Sequence, residues 1–435
     1  MRNTKLTSAL VSLCLLVSAS LQASPDIQHW KTSNGARVYY VSAPELPMVD
    51  VRIVFDAGSA RDGNKPGLAS LTNSLLDEGV PGKDVNAIAE AFENVGAGYG
   101  ADSQRDMALA SIRTLTDPAA LKPAMQTFAE VLAKPIFPNK SFERNRKAML
   151  VGLQQEQQSP SSLAEKAFFK AVYGDHPYAS PGNGTEKSLK AMSRNDVINY
   201  HKKYYVAQNA VLAIVGAVDK KQAEQLAEQL TKGLNKGQRA KEIAAVKPLT
   251  KENVNKIEHT SKQTHMRIGQ PGSKRGDKDY FTLYVGNHIL GGSGLVSRLS
   301  DEIREKRGLS YSVYSYFLPM REHGPFMMGL QTKNETADEA RKVLMESLNK
   351  YRDEGPTKEE LKRAKQNITG GFALRVDSNK KITGYVAMIG FYGLPLDYLD
   401  TFTKKVEAVT VADIKDAYKR RLDPDKLATV TVGGS

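Results

Sequence analysis

Two side chains able to do chemistry stand in the stretch Leu290 to Phe317, LGGSGLVSRLSDEIREKRGLSYSVYSYF, where a Gly-Gly-Ser-Gly turn is followed by Arg304 and, seven residues later, Tyr311. A guanidinium and a phenol both donate hydrogen bonds, so the two can act together if they converge on one point. They also have an ordinary reading, as a solvated helix-end cation favoured by the helix dipole and a strand aromatic. Elsewhere the reactive residue types are dispersed. His29, His176, His201, His259, His265, His288 and His323 include no pair spaced three or four apart, and His259 and His265 stand six apart in a polar, strand-like stretch. Asp77 and Glu78 are adjacent, so on a helix they point to different faces and do not form a catalytic dyad.

The elements that must position the pair follow from periodicity. Leu295, Leu299 and Ile303 recur every four residues, which predicts a helix with one face in the core. Gly308, just past a basic last turn, stops it. Leu309 to Phe317 alternates and is rich in Tyr and Val, the pattern of a strand. The expectation is helix, tight turn, strand, with Arg304 in the last helical turn and Tyr311 at the start of the strand.

A chain of 435 residues exceeds what one hydrophobic core usually serves, so two or more domains are expected. The first residues combine a basic start, an apolar run from Leu6 to Leu21 and small residues at Ala19 and Ala23. That is the pattern of a secretory leader over 1–23, too short and wrongly flanked for a stable membrane span. It predicts export, most simply to the periplasm of a Gram-negative cell, with cleavage after Ala19 or Ala23. The single cysteine, Cys14, lies in the leader, which leaves the mature chain without a thiol, a disulfide or a cysteine ligand. Loss of Arg2 and Lys5 lowers the formal charge from +13 to +11. This surplus is spread over amphipathic helices mixed with acids, with no dense basic block and no base-stacking pattern, which excludes a nucleic-acid binder.

Strand-like runs Ala36 to Val41 and Val49 to Ala57 come after the leader, with Asn34-Gly35 as a hairpin signal before the first. A helix with Leu68, Leu71, Leu75 and Leu76 on one face ends at Gly79, and further helices cover Val85 to Val95 and Leu121 to Leu132. A long helix breaks near Pro160 and resumes to Tyr173. A Ser193-capped helix leads into the continuous apolar run Ala210 to Val218, a buried strand, and Lys220 to Leu230 is helical. The polar, basic segment 233–256 loses periodicity and is the linker. The remainder of the chain repeats the first half: DVINYHKKYYVAQNAVLAIVGAV near Asp196 aligns with DIKDAYKRRLDPDKLATVTVGG near Asp413, and SFERNRKAMLVGLQQEQQSP with ELKRAKQNITGGFALRVDS. An internal repeat of this length means two homologous domains, over 24–232 and 257–435. The element order in each predicts an α+β fold, a mostly antiparallel sheet packed with helices on one face.

On the Gly-rich turn, the Arg304 and Tyr311 spacing and the halved architecture, the chain resembles the pitrilysin and insulinase family of zinc peptidases, over essentially its whole mature length. The resemblance implies that Arg304 and Tyr311 bind substrate, holding its carbonyl as donors aimed at developing negative charge. It also implies a zinc site in the first half, His-x-x-Glu-His on the helix after the first hairpin, with a distal Glu on the long helix. Here the same context reads GLASLTNSLLDEG, so those positions hold Ser70, Asn73 and Ser74, and the distal position falls near Gly152. None is a zinc ligand, and no carboxylate remains there to act as a base; Glu156 is one turn beyond Gly152.

A family body with its metal motif lost and its Arg-Tyr pair kept implies no metal and no activity in this chain alone. In the heterodimeric branch of the family one subunit carries zinc and the other does not. The expectation is therefore a non-catalytic subunit that supplies Arg304 and Tyr311 to a metal-bearing homologous partner and helps to enclose extended peptides. The alternative is a peptide-binding or structural scaffold without an enzymatic partner.

Overall fold

The structure, a computed structural model, describes residues 26–434. The expected leader, with Cys14, Ala19 and Ala23, lies outside the described residues. The first half holds strands β1 (Gln28–Lys31), β2 (Arg37–Ser42), β3 (Met48–Phe55), the two-residue pair β4 (Gly79–Val80) and β5 (Lys83–Asp84), then β6 (Gly98–Ser103), β7 (Ala108–Leu115) and β8 (Ala210–Gly216). The second half holds β9 (Asn253–Ile257), β10 (Gln263–Pro271), β11 (Val313–Phe317), β12 (Pro325–Lys333) and β13 (Ala428–Val432). Asn34-Gly35 turns the chain between β1 and β2, which pair antiparallel, and Gly35 takes φ +98°. The expected linker is free of strand to residue 252 and its last residues begin β9.

The sheets run β1-β2-β8-β3-β7-β6 and β11-β12-β10-β13-β9. Taken from the other edge, the second is β9-β13-β10-β12-β11, the order of the first without β1. Each has one parallel pair at the same place, β2 with β8 and β9 with β13, and is otherwise antiparallel. The duplication read in the sequence is thus a repeated topology. Closing helices repeat too: Arg194–Tyr204 and Val411–Arg421 each open on a capping box, Ser193 with Asp196 and Thr410 with Asp413.

Strand β8 is buried at all seven residues. A strand apolar on both faces requires cover on both sides of its sheet. Helices of the first half cover one side, including Leu68–Asn73, Pro118–Ala133 and Lys220–Thr231. The other side is covered by Asn379–Tyr392, lent by the second half, whose Val386, Ala387, Ile389 and Phe391 share a core with Tyr39, Val54, Val211 and Val215. Helix Pro160–Tyr173 makes the reciprocal crossing: its Phe168 and Phe169 pack with Met327, Ala428 and Val430 of the second sheet. Each half therefore completes the other.

Local boundaries differ from the periodicity in three places. The helix after β3 runs only Leu68–Asn73; Leu75 and Leu76 are buried, but in the turns beyond it, and Gly79 opens β4. Leu295 is 62% exposed rather than core, because Gly294 at φ +63° starts a short 3-10 turn, Gly294–Val296, and the next helix takes its register from Ser297. Ser297 and Ser300 are buried with Leu299 and Ile303 instead. The strand expected from Leu309 begins at Val313, so Tyr311 sits in the bend before β11 and not within the sheet.

Candidate functional site

Arg304 and Tyr311 do converge. The helical turns through Ser300–Glu305 are wide, with Lys306 N–H donating to Asp301 O and Leu309 N–H to Ile303 O. Gly308, at φ +62°, then reverses the chain. The Arg304 guanidinium carbon lies 4.7 Å from the centroid of the Tyr311 ring, a cation–π stack contributing about 0.5–1 kcal/mol at an exposed site. Other cations of this helix are used for structure. Arg298 grips Glu360 through two nitrogens (2.5 and 2.6 Å) and donates to Gly355 O; Lys306 and Arg307 both bind Glu302 at 2.7 Å. Arg304 has a 3.3 Å contact between its Nε and its neighbour Glu305, and no other ion pair among the described residues. Tyr311 is 78% exposed, and its hydroxyl has no hydrogen-bond partner among the described residues. The remaining guanidinium donors and the phenol, side by side, can take one carbonyl or carboxylate oxygen of another molecule.

The Gly-rich turn fixes where this pair stands. A Cβ on Gly291 would lie 2.5 Å from Ser315 N and Oγ, and one on Gly292 2.7 Å from Asn287 Nδ2. Only glycine allows the turn so close to β11. Asn287 Nδ2 donates to Ser315 O (3.0 Å) and Ser315 Oγ to Asn287 Oδ1 (2.8 Å), which locks the helix Tyr280–Asn287 to that strand.

In the first half, Ser70 is half-buried, Ser74 exposed and Asn73 buried. Asn73 Nδ2 donates to Leu109 O (3.2 Å) and Tyr205 OH (3.3 Å), and Ser74 Oγ to Leu71 O (3.0 Å). Helix Asn139–Gln157 is tied to both ends of this segment. Arg144 and Asn145 donate to Glu78, and near the other end Asn183 donates to Glu156 while Gly184 touches Gly67. Burial pushes the Glu78 carboxyl up, but Arg144 and Asn145 outweigh it and hold it below the usual range. Gly152 lies between the ties, and a Cβ there would meet nothing within 4 Å. Two serines, a buried amide committed to two acceptors and a glycine do not fit a zinc ion. Glu156, the substitute considered from sequence, is paired with Lys166. Among the described residues no group of three or more His, Cys, Asp or Glu could hold a metal.

Sequence reasoning missed the polar joint between the halves. Asp106, buried, accepts from Tyr178 OH (2.7 Å), Tyr392 OH (3.0 Å) and Arg321 N–H (2.7 Å), joining residues from three distant stretches. It also missed Asp62, which accepts from Gly67 N–H and Ala69 N–H at 2.8 Å and caps the helix Leu68–Asn73. Burial pushes that carboxyl up to about 7 against these two donors. An acid at the N-cap itself is a readable signal, but Asp62 stands five residues before the N-cap Gly67; the Asp106 joint has no local signal either, since its partners are set by the exchange of helices. Among the described residues no helix is long and apolar enough to cross a membrane.

Residues 37–186 match the family model described as Insulinase (Peptidase family M16), and residues 191–368 match that described as Peptidase M16 inactive domain. A solved structure from Pseudomonas fluorescens, described as a peptidase M16 inactive domain, superposes with a TM-score of 0.91 at 42% identity, covering 94% of this chain and 98% of that one. A Bacillus subtilis protein named uncharacterized zinc protease YmxG is 23% identical, covering 82% of this chain and 86% of its own length. A Helicobacter pylori protein named non-peptidase homolog YmxG is 25% identical over 97% of this chain and 98% of its own.

Proposed function

The chain belongs to the peptidase M16 (insulinase) family, and on that footing we propose that it is the non-catalytic subunit of a heterodimeric zinc peptidase acting on extended peptides. The observation that carries this reading is the Arg304 and Tyr311 stack, open to solvent at Tyr311, in a chain that has Ser70, Asn73 and Ser74, and a distal position near Gly152, where the family resemblance puts the metal ligands. The metal-bearing homologous partner supplies the zinc and its activated water. This chain supplies two donors to the oxygen of the scissile carbonyl, where negative charge develops, and a wall that keeps the peptide extended. Donation of that kind needs position, not covalent continuity with the metal. The basic start and apolar run of residues 1–23 support export, so the pair would work in the periplasm.

Co-expression with a homologue that carries an intact His-x-x-Glu-His tests the reading. Neither chain alone should hydrolyse a quenched peptide library, and the co-purified pair should do so in a chelator-sensitive way. Failure of the two to associate, or hydrolysis by the metal-bearing chain at the same rate without this one, would leave this chain as a scaffold.

A further inference from the structure

We propose a second peptide site in the second half, a cavity that takes the C-terminal residue of a peptide, its carboxylate on a cationic rim and its apolar side chain on an aromatic floor. The cavity, of about 480 Å³, opens between the start of helix Tyr280–Asn287 and helix Tyr398–Ala408. That volume lies within the range of ordinary ligand sites, roughly 300–1,000 Å³. Its floor is Phe281 and Tyr398, with ring centroids 6.0 Å apart, and Tyr280 set edge-on to Phe281 at 5.1 Å; Leu394 and Val409 complete the apolar wall.

The charges decide the ligand. Arg275, Lys278 and Lys405 line the opening, and among the described residues none of the three has an ion pair or a side-chain hydrogen bond. The Nε of Arg275 is buried without a partner, and the Lys405 ammonium rests 5.5 Å over the Phe281 ring. Both acids in the wall are already committed. Asp277 binds Arg421 at 2.6 Å, and Asp413 accepts from Thr410 N–H and Oγ in the cap of the last helix. With Asp277 neutralised by Arg421, the three cations outnumber the one remaining carboxylate, Asp413, so the net field in the opening is positive, over an apolar pit, which is complementary to an apolar group bearing a carboxylate. The larger cavity of the first half, about 770 Å³, makes no such demand. Its Lys166, Lys170 and Lys190 are paired with Glu156, Asp175 and Glu186, and its Arg105 donates to Tyr178 O and Ser180 O.

The choice of a peptide over a free acid rests on the reading of this chain as a peptide-handling subunit. The test uses the mature chain without a partner and three probes: a fluorescein-labelled pentapeptide ending in phenylalanine as the free acid, its C-terminal amide, and N-acetylphenylalanine as competitor. We expect saturable binding of the acid by fluorescence anisotropy, at least tenfold weaker binding of the amide, and poor competition by N-acetylphenylalanine. Lys278→Glu and Lys405→Glu, both at the rim, should each weaken the acid several-fold with unchanged Tm, while Lys190→Glu at the other cavity should not. Equal binding of acid and amide, or wild-type binding by both rim variants, would overturn the site. Competition by N-acetylphenylalanine as strong as the peptide's would overturn the peptide assignment. Because no hydrolysis is measured, a negative result here would not touch the heterodimer reading, and failure of reconstitution would not touch this one.

Discussion

At the scale of single residues, what matters is which polar groups are already spoken for. Asn73 spends its amide on Leu109 O and Tyr205 OH, so replacing it by Glu puts a donor-free group against a carbonyl, at a cost of about 1–3 kcal/mol. Restoring Ser70→His, Asn73→Glu and Ser74→His should therefore give a less stable chain without stoichiometric zinc, because the distal ligand is still missing at Gly152 and a catalytic zinc needs three protein ligands. Adding Gly152→Glu should bring metal analysis close to one zinc per chain, since a side chain there meets no neighbour. Tight zinc in the triple variant would show that Glu156 leaves Lys166 to serve as ligand. If the pair binds substrate as proposed, Arg304→Lys should lower the kcat of the reconstituted heterodimer, for an ammonium does not reproduce the planar fork that stacks on Tyr311. The convergence of Arg304 and Tyr311 was legible in the sequence because their spacing across a helix, a glycine and a strand brings them together. The exposure of Leu295 was not, since apolar spacing of four says nothing about a glycine that shifts the helical register.

At the scale of elements, the exchanged helices are the feature that local periodicity could not supply. The all-apolar run of β8 showed that the strand is buried; which helix covers its second face depends on contacts more than 150 residues apart, such as that of Arg37 Nη1 with Gly390 O at 3.1 Å. Gly390 sits where a Cβ would meet Tyr39 at 2.5 Å and Val211 at 2.7 Å. Gly390→Val should therefore lift the lent helix off the sheet and lower the Tm by several degrees, which corresponds to overpacking costs of about 1–3 kcal/mol. An unchanged Tm would mean that the helix is not held closely there. His201, on the closing helix Arg194–Tyr204, binds Leu132 O through Nε2 at 3.0 Å and is buried. Burial pushes its pKa down to about 4, so the folded chain keeps it neutral while the unfolded chain takes up a proton below about 6.5. Stability from this group is full above that pH and is lost as pH falls toward 4, by up to roughly 3 kcal/mol. Urea midpoints at pH 7.5 and 4.5 check this: His201→Gln, which keeps an N–H donor, should show the smaller drop, and an equal drop in both proteins would contradict it.

At the scale of the whole molecule, each half covers a face of the other's sheet, which predicts one folding unit. Val386, Ile389 and Phe391 are fully buried against the first sheet, each contributing roughly 1.5–3 kcal/mol, and the reciprocal helix Pro160–Tyr173 and the Asp106 joint add to that. Neither half can leave without uncovering both sheets, so thermal unfolding should be a single calorimetric transition, and two separated transitions would contradict the exchange. A body fixed in this way holds the Arg304 and Tyr311 pair on a rigid frame. The most direct measurement is the kcat of the reconstituted heterodimer with Tyr311→Phe, which removes one donor and leaves the ring under Arg304 in place. A substrate-binding pair should lose turnover by about a hundredfold to a thousandfold, with association by gel filtration unchanged. Full turnover by a normally assembled Tyr311→Phe complex would contradict that role.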